Sequence, residues 1–237
     1  MIDVSNLKDA LETLGFVAHG DIHEKVFPEI GCSLKVDFHA KKLIYPNEIK
    51  GRERNNGFDK KENFVVFECV CRLLSKGYRP EHIELEKEWH LGHDAKGGRA
   101  DICVSDTSGN MLFIIECKTW GREYNKVLNN TKSDGAQLFS YWQQEQSCKW
   151  LVLYASDLRS GCIVYKAPTI DCSDDANIVL LSKKDKSIKL YRDAHTTSAK
   201  YEAWKETYGS QIHDDLIFSE DSVAYQIGVK PLRKKDL

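Results

Sequence analysis

The chain has 237 residues, of which 41% are hydrophobic, and this is enough for one large domain with a packed core, so a disordered chain is excluded. Its 34 Lys and Arg residues nearly balance its 36 Asp and Glu residues, and the formal net charge of −2 excludes an overall basic field, so a nucleic-acid partner would need a local patch. The eight cysteines follow no secretory signal and no zinc-site spacing, and no apolar run approaches about 18 residues, so we expect reduced, mostly buried thiols in a soluble, cytoplasmic protein without a membrane partner.

The first elements predicted along the chain are a helix and short strands. The segment SNLKDALETLGF places apolar residues at helical spacing after Ser5, a candidate N-cap. Three strands are then predicted, in EKVFPEI, CSLKVDF and KKLIYP. We expect residues 1–58 to pack on the core that follows. From Lys41 to Lys61 seven basic residues stand against three acidic ones, which indicates either a binding patch or a solvated loop.

The central part of the chain, residues 59–160, is predicted to hold the main sheet. Its elements are a helix in DKKENFVVFECVCRLLSKGY, a strand with its glutamates exposed in HIELEKEWHLG, two strands in GGRADICVSDTSGNMLFIIECKTWG, a helix in SDGAQLFSYWQQEQ and a buried strand in KWLVLYASD. Ser133 or Asp134 is the predicted cap of the second helix. This order predicts an α/β (α+β) fold, with a mixed sheet flanked by helices.

The remaining residues are predicted to complete this domain. Short strands are expected in GCIVYK, NIVLLS and SIKLYRD, and a helix is expected in SAKYEAWKETYG. Together they occupy residues 161–225. The basic residues 226–237 are typical of a linker toward a further module.

Three charged residues interrupt the two apolar strands that lie between residues 97 and 121. Side chains alternate along a strand, so Glu116 and Lys118 point to the same face. We assume a hairpin in which Val104 faces Met111. In that register Asp101 lies one diagonal step from Glu116, and all three charges share one face.

This combination of side chains predicts a particular chemistry. Two converging carboxylates form a hard oxygen site of the kind that Mg²⁺ prefers. A neighbouring lysine can orient a water molecule and stabilise negative charge that develops on a phosphate. Metal-assisted hydrolysis of a phosphodiester is the reaction that fits the three residues.

The motif resembles the D-x(n)-ExK pattern of the PD-(D/E)XK nucleases. Asp101 is followed, after fourteen residues, by Glu116, Cys117 and Lys118, and Ala100 stands where many members have proline. The resemblance implies that the two carboxylates bind Mg²⁺, with Mn²⁺ as a substitute, and that the backbone carbonyl of Cys117 completes the metal site. It further implies that the lysine serves the attacking water.

The resemblance extends to the two helices that flank these strands. Gln137 and Tyr141 match the Q-x3-Y helix of nuclease domains in type I restriction subunits, and at this spacing they share a helix face. The family also places a glutamate on the first core helix. Position within the motif favours Glu62, whereas burial on the apolar stripe favours Glu68.

The whole layout is similar to the N-terminal nuclease domain of a restriction-modification enzyme, either a type I-like subunit or a nuclease-methyltransferase fusion. This resemblance implies a restriction-endonuclease-like fold, DNA as substrate, and a translocase or an adenine methyltransferase module, or both, as partners. Basic side chains close to the motif are candidates for contacts with DNA phosphates. They are Arg99, Arg122, Lys50, Arg52 and Arg54.

Two other classes of function are compatible with the same residues. One is a catalytically silent module of this fold that binds DNA or docks a subunit, which the intact trio disfavours. The other is a repair-type nuclease that acts on branched or single-stranded DNA. Solvated charges on the strands, and Gln137 and Tyr141 as ordinary helix residues, are the structural alternatives.

Overall fold

The computed structural model describes residues 1–91, 95–134, 136–172 and 212–213. Two β-sheets and their flanking helices form the regular structure of this part, which confirms the predicted fold class. Four predicted segments lie outside the described residues: the strands in NIVLLS and SIKLYRD, the helix in SAKYEAWKETYG, and the linker 226–237.

The N-terminal part forms one helix and a four-stranded antiparallel sheet. The helix is α1 (Leu7–Thr13), and the strands, paired in chain order, are β1 (Val17–His19), β2 (Ile22–Phe27), β3 (Cys32–Asp37) and β4 (Lys42–Ile44). The helix begins after Asn6, and the Ser5 hydroxyl is turned to the carboxylate of Asp3. The predicted Ser5 cap is therefore wrong, because the helix begins one residue later than expected and Asn6 holds the cap position.

Three helices and a seven-stranded sheet form the central part. The helices are α2 (Lys61–Ser75), α3 (Arg122–Asp134) and α4 (Ala136–Gln144). The strands are β5 (Ile83–Leu91), β6 (Ala95–Ser105), β7 (Met111–Cys117), β8 (Trp150–Arg159), β9 (Cys162–Lys166), β10 (Thr169–Asp171) and β11 (Ile212–His213). The strand order is β11-β10-β8-β7-β6-β5, with β9 paired to β8, and β7 and β8 are parallel.

Two apolar cores cover the faces of this sheet. One core joins α1, α2 and the small sheet to residues such as Ile115 of β7. The other joins α4 to residues such as Ile114. Every residue of β7 is buried as a result, because the strand has neighbours on both sides and helices on both faces.

The α3 helix was not predicted from the sequence. Ser133 and Asp134, the predicted caps of the next helix, lie instead in the last turn of α3. Tyr124 is buried and Val127 packs beside it, which shows that α3 is held by an apolar stripe. Tertiary packing stabilises a helix that is otherwise rich in polar residues with low helix propensity.

The hairpin of β6 and β7 has a different register from the one assumed. Val104 pairs with Phe113, two residues further along than Met111. An irregularity follows Val104, and the turn is fixed by Asp106, whose carboxylate accepts the backbone N–H of Asn110 at 2.8 Å. Because the register differs by two residues, each side chain keeps its predicted face.

The outer edge of β5 is partly covered by the chain around Lys50, within the basic stretch from Lys41 to Lys61. The N–H of Lys50 donates to the carbonyl of Ile83 at 3.2 Å, and the N–H of Leu85 donates to the carbonyl of Lys50 at 2.8 Å. At Gly51, with φ +72°, a Cβ would lie 2.0 Å from the Leu85 carbonyl oxygen, so only glycine allows this approach. Glu86 has φ 55° and is buried, which corrects the prediction that it lies on the exposed side of its strand.

The thiols agree with the sequence prediction. All eight cysteines are free, and six of them are buried. Of the helices in the described ranges, none combines the length and apolar character that crossing a membrane requires.

Candidate active site

The ends of β6 and β7 bring the three charged residues together. Their register, carried one residue beyond the last ladder pair, sets Asp101 opposite Glu116. The Lys118 Nζ atom lies 2.8 Å from Glu116 Oε1 and 4.0 Å from Asp101 Oδ2. The backbone N–H of Cys117 donates to Asp101 Oδ2 at 2.7 Å, so the strand that carries the glutamate also fixes the aspartate.

A fourth charged side chain reaches the same lysine from α2. Glu62 Oε1 lies 2.7 Å from Lys118 Nζ, and the carbonyl of Cys117 accepts a further hydrogen bond from Nζ at 2.8 Å. We call Glu62, Asp101, Glu116 and Lys118 the Lys118 cluster. Its ammonium group thus lies among oxygens contributed by β6, β7 and the first turn of α2.

The other candidate glutamate of α2 belongs to a separate group. Glu68 is 1% exposed, and its carboxylate lies 2.6 Å from Arg72 Nη2 and accepts a hydrogen bond from Tyr154 Oη at 2.6 Å. We call these three residues the Glu68 cluster. The geometry therefore favours Glu62 over Glu68 as the helix glutamate that contacts the trio.

The Q-x3-Y pair of α4 contacts the site through its tyrosine. Tyr141 Oη donates to Glu116 Oε2 at 3.0 Å and also lies close to the Arg99 carbonyl. Gln137 is exposed and contacts the Tyr141 hydroxyl rather than a carboxylate. A Cβ on Gly98 would lie 2.5 Å from Tyr141 Cε1, so the absence of a side chain there leaves room for the ring.

Burial and mutual repulsion control the charges of the cluster. Burial raises the pKa of Asp101 well above its ordinary value, and repulsion by Glu116 raises it further. Burial also raises the pKa of Glu116, although Lys118 opposes the shift. For Lys118, burial alone would lower the pKa, but attraction by the carboxylates outweighs it and the pKa is raised. One ammonium group does not offset three carboxyl groups, so the site favours additional positive charge.

The donor set fits a hard divalent cation. The carboxylates of Asp101 and Glu116 and the carbonyl of Cys117 are the oxygen ligands that Mg²⁺ prefers, and all three meet at Lys118 Nζ. Within the described part of the chain, no three His, Cys, Asp or Glu side chains surround one point as ligands. A set of two carboxylates and one backbone carbonyl does not need a third ligating side chain, because Mg²⁺ retains several waters.

A groove opens beside this cluster, between the first turns of α2 and α3. Its volume is about 550 Å³. It is lined by Met1, Lys60, Lys61, Glu62, Thr119, Trp120, Arg122 and Glu123. We call it the α2–α3 groove. Of the predicted phosphate-binding residues, Arg122 lies in this groove. Thr119, Trp120 and Glu123, which also line it, were not among the predicted site residues.

The predicted arginines outside the groove lie beside carboxylates. The shortest nitrogen to oxygen distances are 3.7 Å for Arg52 and Glu53, 2.8 Å for Arg54 and Glu88, and 2.7 Å for Arg99 and Glu86. Lys50 is exposed and lies on the segment that covers β5. These residues are not brought to the Lys118 cluster by the contacts described above.

The comparison with known families concerns the part of the chain that holds this site. Residues 62–169 match the family described as Type I restriction enzyme R protein N terminus (HSDR_N). The match supports a type I restriction enzyme N-terminal domain. It covers a little under half of the chain, begins at Glu62 and includes the whole Lys118 cluster. No curated protein matches the chain.

Proposed function

We propose that this chain is the Mg²⁺-dependent DNA endonuclease domain of a restriction-modification system and that the Lys118 cluster is its PD-(D/E)XK active site. The observation that carries the proposal is the convergence of Asp101, Glu116 and Lys118, with Nζ to carboxylate distances of 4.0 Å and 2.8 Å. The family match over residues 62–169 supports the restriction-system part of the proposal.

Each residue of the site has a role that follows from its contacts. Asp101, Glu116 and the carbonyl of Cys117 hold Mg²⁺, for which Mn²⁺ substitutes. When bound, the metal ion supplies Lewis-acid polarisation of the phosphodiester. The Lys118 ammonium group positions the attacking water by donating a hydrogen bond, and it stabilises negative charge that develops on the phosphate.

The surrounding side chains set the orientation of these groups. Glu62 binds the Lys118 ammonium from the α2 side at 2.7 Å. Tyr141 fixes one oxygen of Glu116 by donating at 3.0 Å, and Gln137 supports the same hydroxyl. This arrangement leaves the other oxygen of the glutamate directed to the lysine.

The partners follow from the family match and from the motif resemblance. DNA is the substrate, and recognition of the DNA sequence belongs to other modules of a cytoplasmic restriction-modification complex. A translocase module, an adenine methyltransferase module, or both, deliver DNA to this domain. The domain itself then hydrolyses the phosphodiester with little sequence selectivity.

The test is Lys118→Ala in the restriction complex that contains this chain. We expect the variant to fold and bind DNA and to lose Mg²⁺-dependent cleavage by about 100- to 1,000-fold, because the ammonium group acts chiefly in the transition state. Lys35→Ala is the matched control, since Lys35 pairs with Glu24 at 3.2 Å on the small sheet. Gel-based cleavage of a plasmid measures the rate.

A second measurement separates metal binding from chemistry. Asp101→Asn and Glu116→Gln are expected to weaken Mn²⁺ binding in a calorimetric titration, whereas Lys118→Ala retains it. Normal cleavage by Lys118→Ala would assign the chemistry to another site. Failure of the unchanged chain to bind Mn²⁺ would instead favour the catalytically silent module, and selective cleavage of branched DNA would favour a repair-type nuclease.

A further inference from the structure

The α2–α3 groove leads directly to the Lys118 cluster. Glu62 lines the groove and also holds Lys118 Nζ at 2.7 Å. Thr119 and Trp120, the two residues after the lysine, line the same groove. A ligand bound in the groove therefore lies next to any group bound at the Lys118 cluster.

The charges that line this groove favour an anionic ligand. Lys60, Lys61 and Arg122 are exposed along its walls. Of its two acidic side chains, Glu62 binds the Lys118 ammonium, whereas Glu123 is exposed and accepts a hydrogen bond from the neutral Thr119 hydroxyl. Three cations therefore stand against the one carboxylate that does not bind Lys118, and the charge of the surface that a ligand meets is positive on balance.

The two lysines make weak contacts that a phosphate could replace. Lys60 Nζ donates to the neutral side chain of Asn55 at 3.0 Å. Lys61 Nζ lies 3.2 Å from Asp3 in an exposed pair, which contributes little to stability. By contrast, Glu86, the carboxylate beside Arg99, is buried, so a phosphate there would have to displace a desolvated charge.

Two further cations extend this basic surface past Trp120. The Arg159 guanidinium lies 4.5 Å from the centroid of the Trp120 ring, and Lys166 Nζ lies 5.2 Å from it. The Arg159 side chain is 53% exposed, and its Nε lies 3.0 Å from Asp157. Asp157 is buried but also pairs with the N-terminal amino group, so it keeps a cation if Arg159 turns to a phosphate. The groove and these two residues thus form one basic track with an aromatic side chain in its middle.

We propose that this track holds the sugar–phosphate backbone of the DNA strand on which the Lys118 cluster acts. The inference rests on the proposed function and adds the binding surface that the function needs. Lys60, Lys61 and Arg122 contact phosphates on the groove side, and Arg159 and Lys166 contact phosphates beyond Trp120. A volume of about 550 Å³ admits backbone groups of one strand, while the rest of the duplex lies outside the groove.

The experiment measures how DNA binding by the chain of 237 residues depends on salt, with a short duplex and without divalent metal. Each phosphate contact that is lost reduces the slope of log K against log salt by about 0.9. The groove variant is Lys60→Gln/Lys61→Gln/Arg122→Gln. We expect its slope to fall by about 2 to 3, with affinity reduced most at low salt.

The control variant removes three cations from the N-terminal helix and the four-stranded sheet, outside the groove. It is Lys8→Gln/Lys25→Gln/Lys35→Gln, and we expect its slope to remain within about 0.5 of the unchanged chain. Urea unfolding midpoints of both variants are measured in parallel and are expected to stay at the value of the unchanged chain, because the replaced side chains are exposed or make weak surface pairs.

The outcomes separate this inference from the function on which it rests. An unchanged slope in the groove variant, or a larger fall in the control variant, would overturn the track. If cleavage still depends on Lys118 in that case, the proposed function stands without it. If the unchanged chain binds no duplex DNA, the track is overturned, whereas the proposed function is still decided by the cleavage test of Lys118→Ala in the complex.

Discussion

The Glu68 cluster and the Lys118 cluster use the same kinds of side chain in different proportions. In each, a buried glutamate lies between a cation and a tyrosine hydroxyl. Glu68 pairs with Arg72, and both contact Tyr154, so in this cluster one acid faces one base. Such a balanced, hydrogen-bonded pair holds α2 against β8 and leaves no charge to offer a ligand.

The Lys118 cluster is not balanced in this way. Three carboxyl groups share one ammonium group, and the pKa of Asp101 and of Glu116 is raised, mainly by burial. The fold does not require these buried carboxyl groups, because an apolar side chain at the same position would make the folded state more stable. This difference supports our proposal that the second cluster binds a ligand, whereas the first serves the fold.

The sharpest test of this comparison is the replacement of Arg72 by methionine. Arg72→Met leaves the Glu68 carboxylate buried without its cation, and we expect a loss of about 3–5 kcal/mol in the free energy of unfolding. Urea denaturation followed by circular dichroism measures it. The double variant Glu68→Gln/Arg72→Met is expected to recover most of the loss, because no uncompensated charge remains. A loss below about 1 kcal/mol in the single variant would mean that the pair is not structural.

The tyrosines of the two clusters provide a second test. Tyr154→Phe removes the hydroxyl that donates to Glu68 at 2.6 Å in a buried position, and we expect a loss of about 1–3 kcal/mol. Tyr141→Phe removes the donor to Glu116, and we expect a loss below about 1 kcal/mol, because a carboxyl with a raised pKa depends less on donors. Thermal unfolding compares them, and equal losses would remove the distinction between the clusters.

The third test uses the pH dependence of stability. In the folded protein the pKa of Asp101 is raised, so between about pH 4 and that raised value the folded state binds more protons than the unfolded chain. The free energy of unfolding therefore falls as pH rises through this window. Asp101→Asn removes this decrease in the free energy of unfolding. As pH rises, the variant is therefore expected to gain stability over the unchanged chain by at most about 1 kcal/mol per pH unit.

The matched control for this measurement is Asp106→Asn in the β6–β7 turn. The pKa of Asp106 is lowered, chiefly by its hydrogen bond with Asn110, so above about pH 5 both folded and unfolded states carry the charge. Its effect on stability is then constant from about pH 5 to about pH 8. Urea unfolding without divalent cations is measured across that range, and a constant difference for Asp101→Asn as well would contradict the raised pKa.

The convergence of the three charges was predictable from the sequence because it depends on strand alternation. Alternation with a period of two puts Glu116 and Lys118 on one face whatever the turn does. The assumed pairing of Val104 with Met111 was wrong by two residues, yet an even error keeps Asp101 on the correct face. An error of one residue would have separated it from the others.

Other features of the site depend on packing that the sequence does not specify. Glu62 and Glu68 lie on one helix, and the position at which α2 crosses the sheet decides which of them contacts Lys118. The pairing of Arg99 with Glu86 is equally non-local, since it requires the φ of 55° that turns this glutamate into the protein. The periodic spacing of apolar residues in the sequence carries no information about either of these two contacts.

The close approach at Gly51 has a consequence for how the protein meets other molecules. Among the described strands β5 is the last on its side of the sheet, and an open edge strand pairs readily with strands from other chains. The backbone of Lys50 occupies the peptide groups of Ile83 and Leu85, and Glu86, with φ 55°, departs from extended geometry just beyond them. A side chain at position 51 would push the Lys50 segment away from the Leu85 carbonyl and open the edge of β5. We therefore expect this glycine to protect the protein against aggregation through that edge.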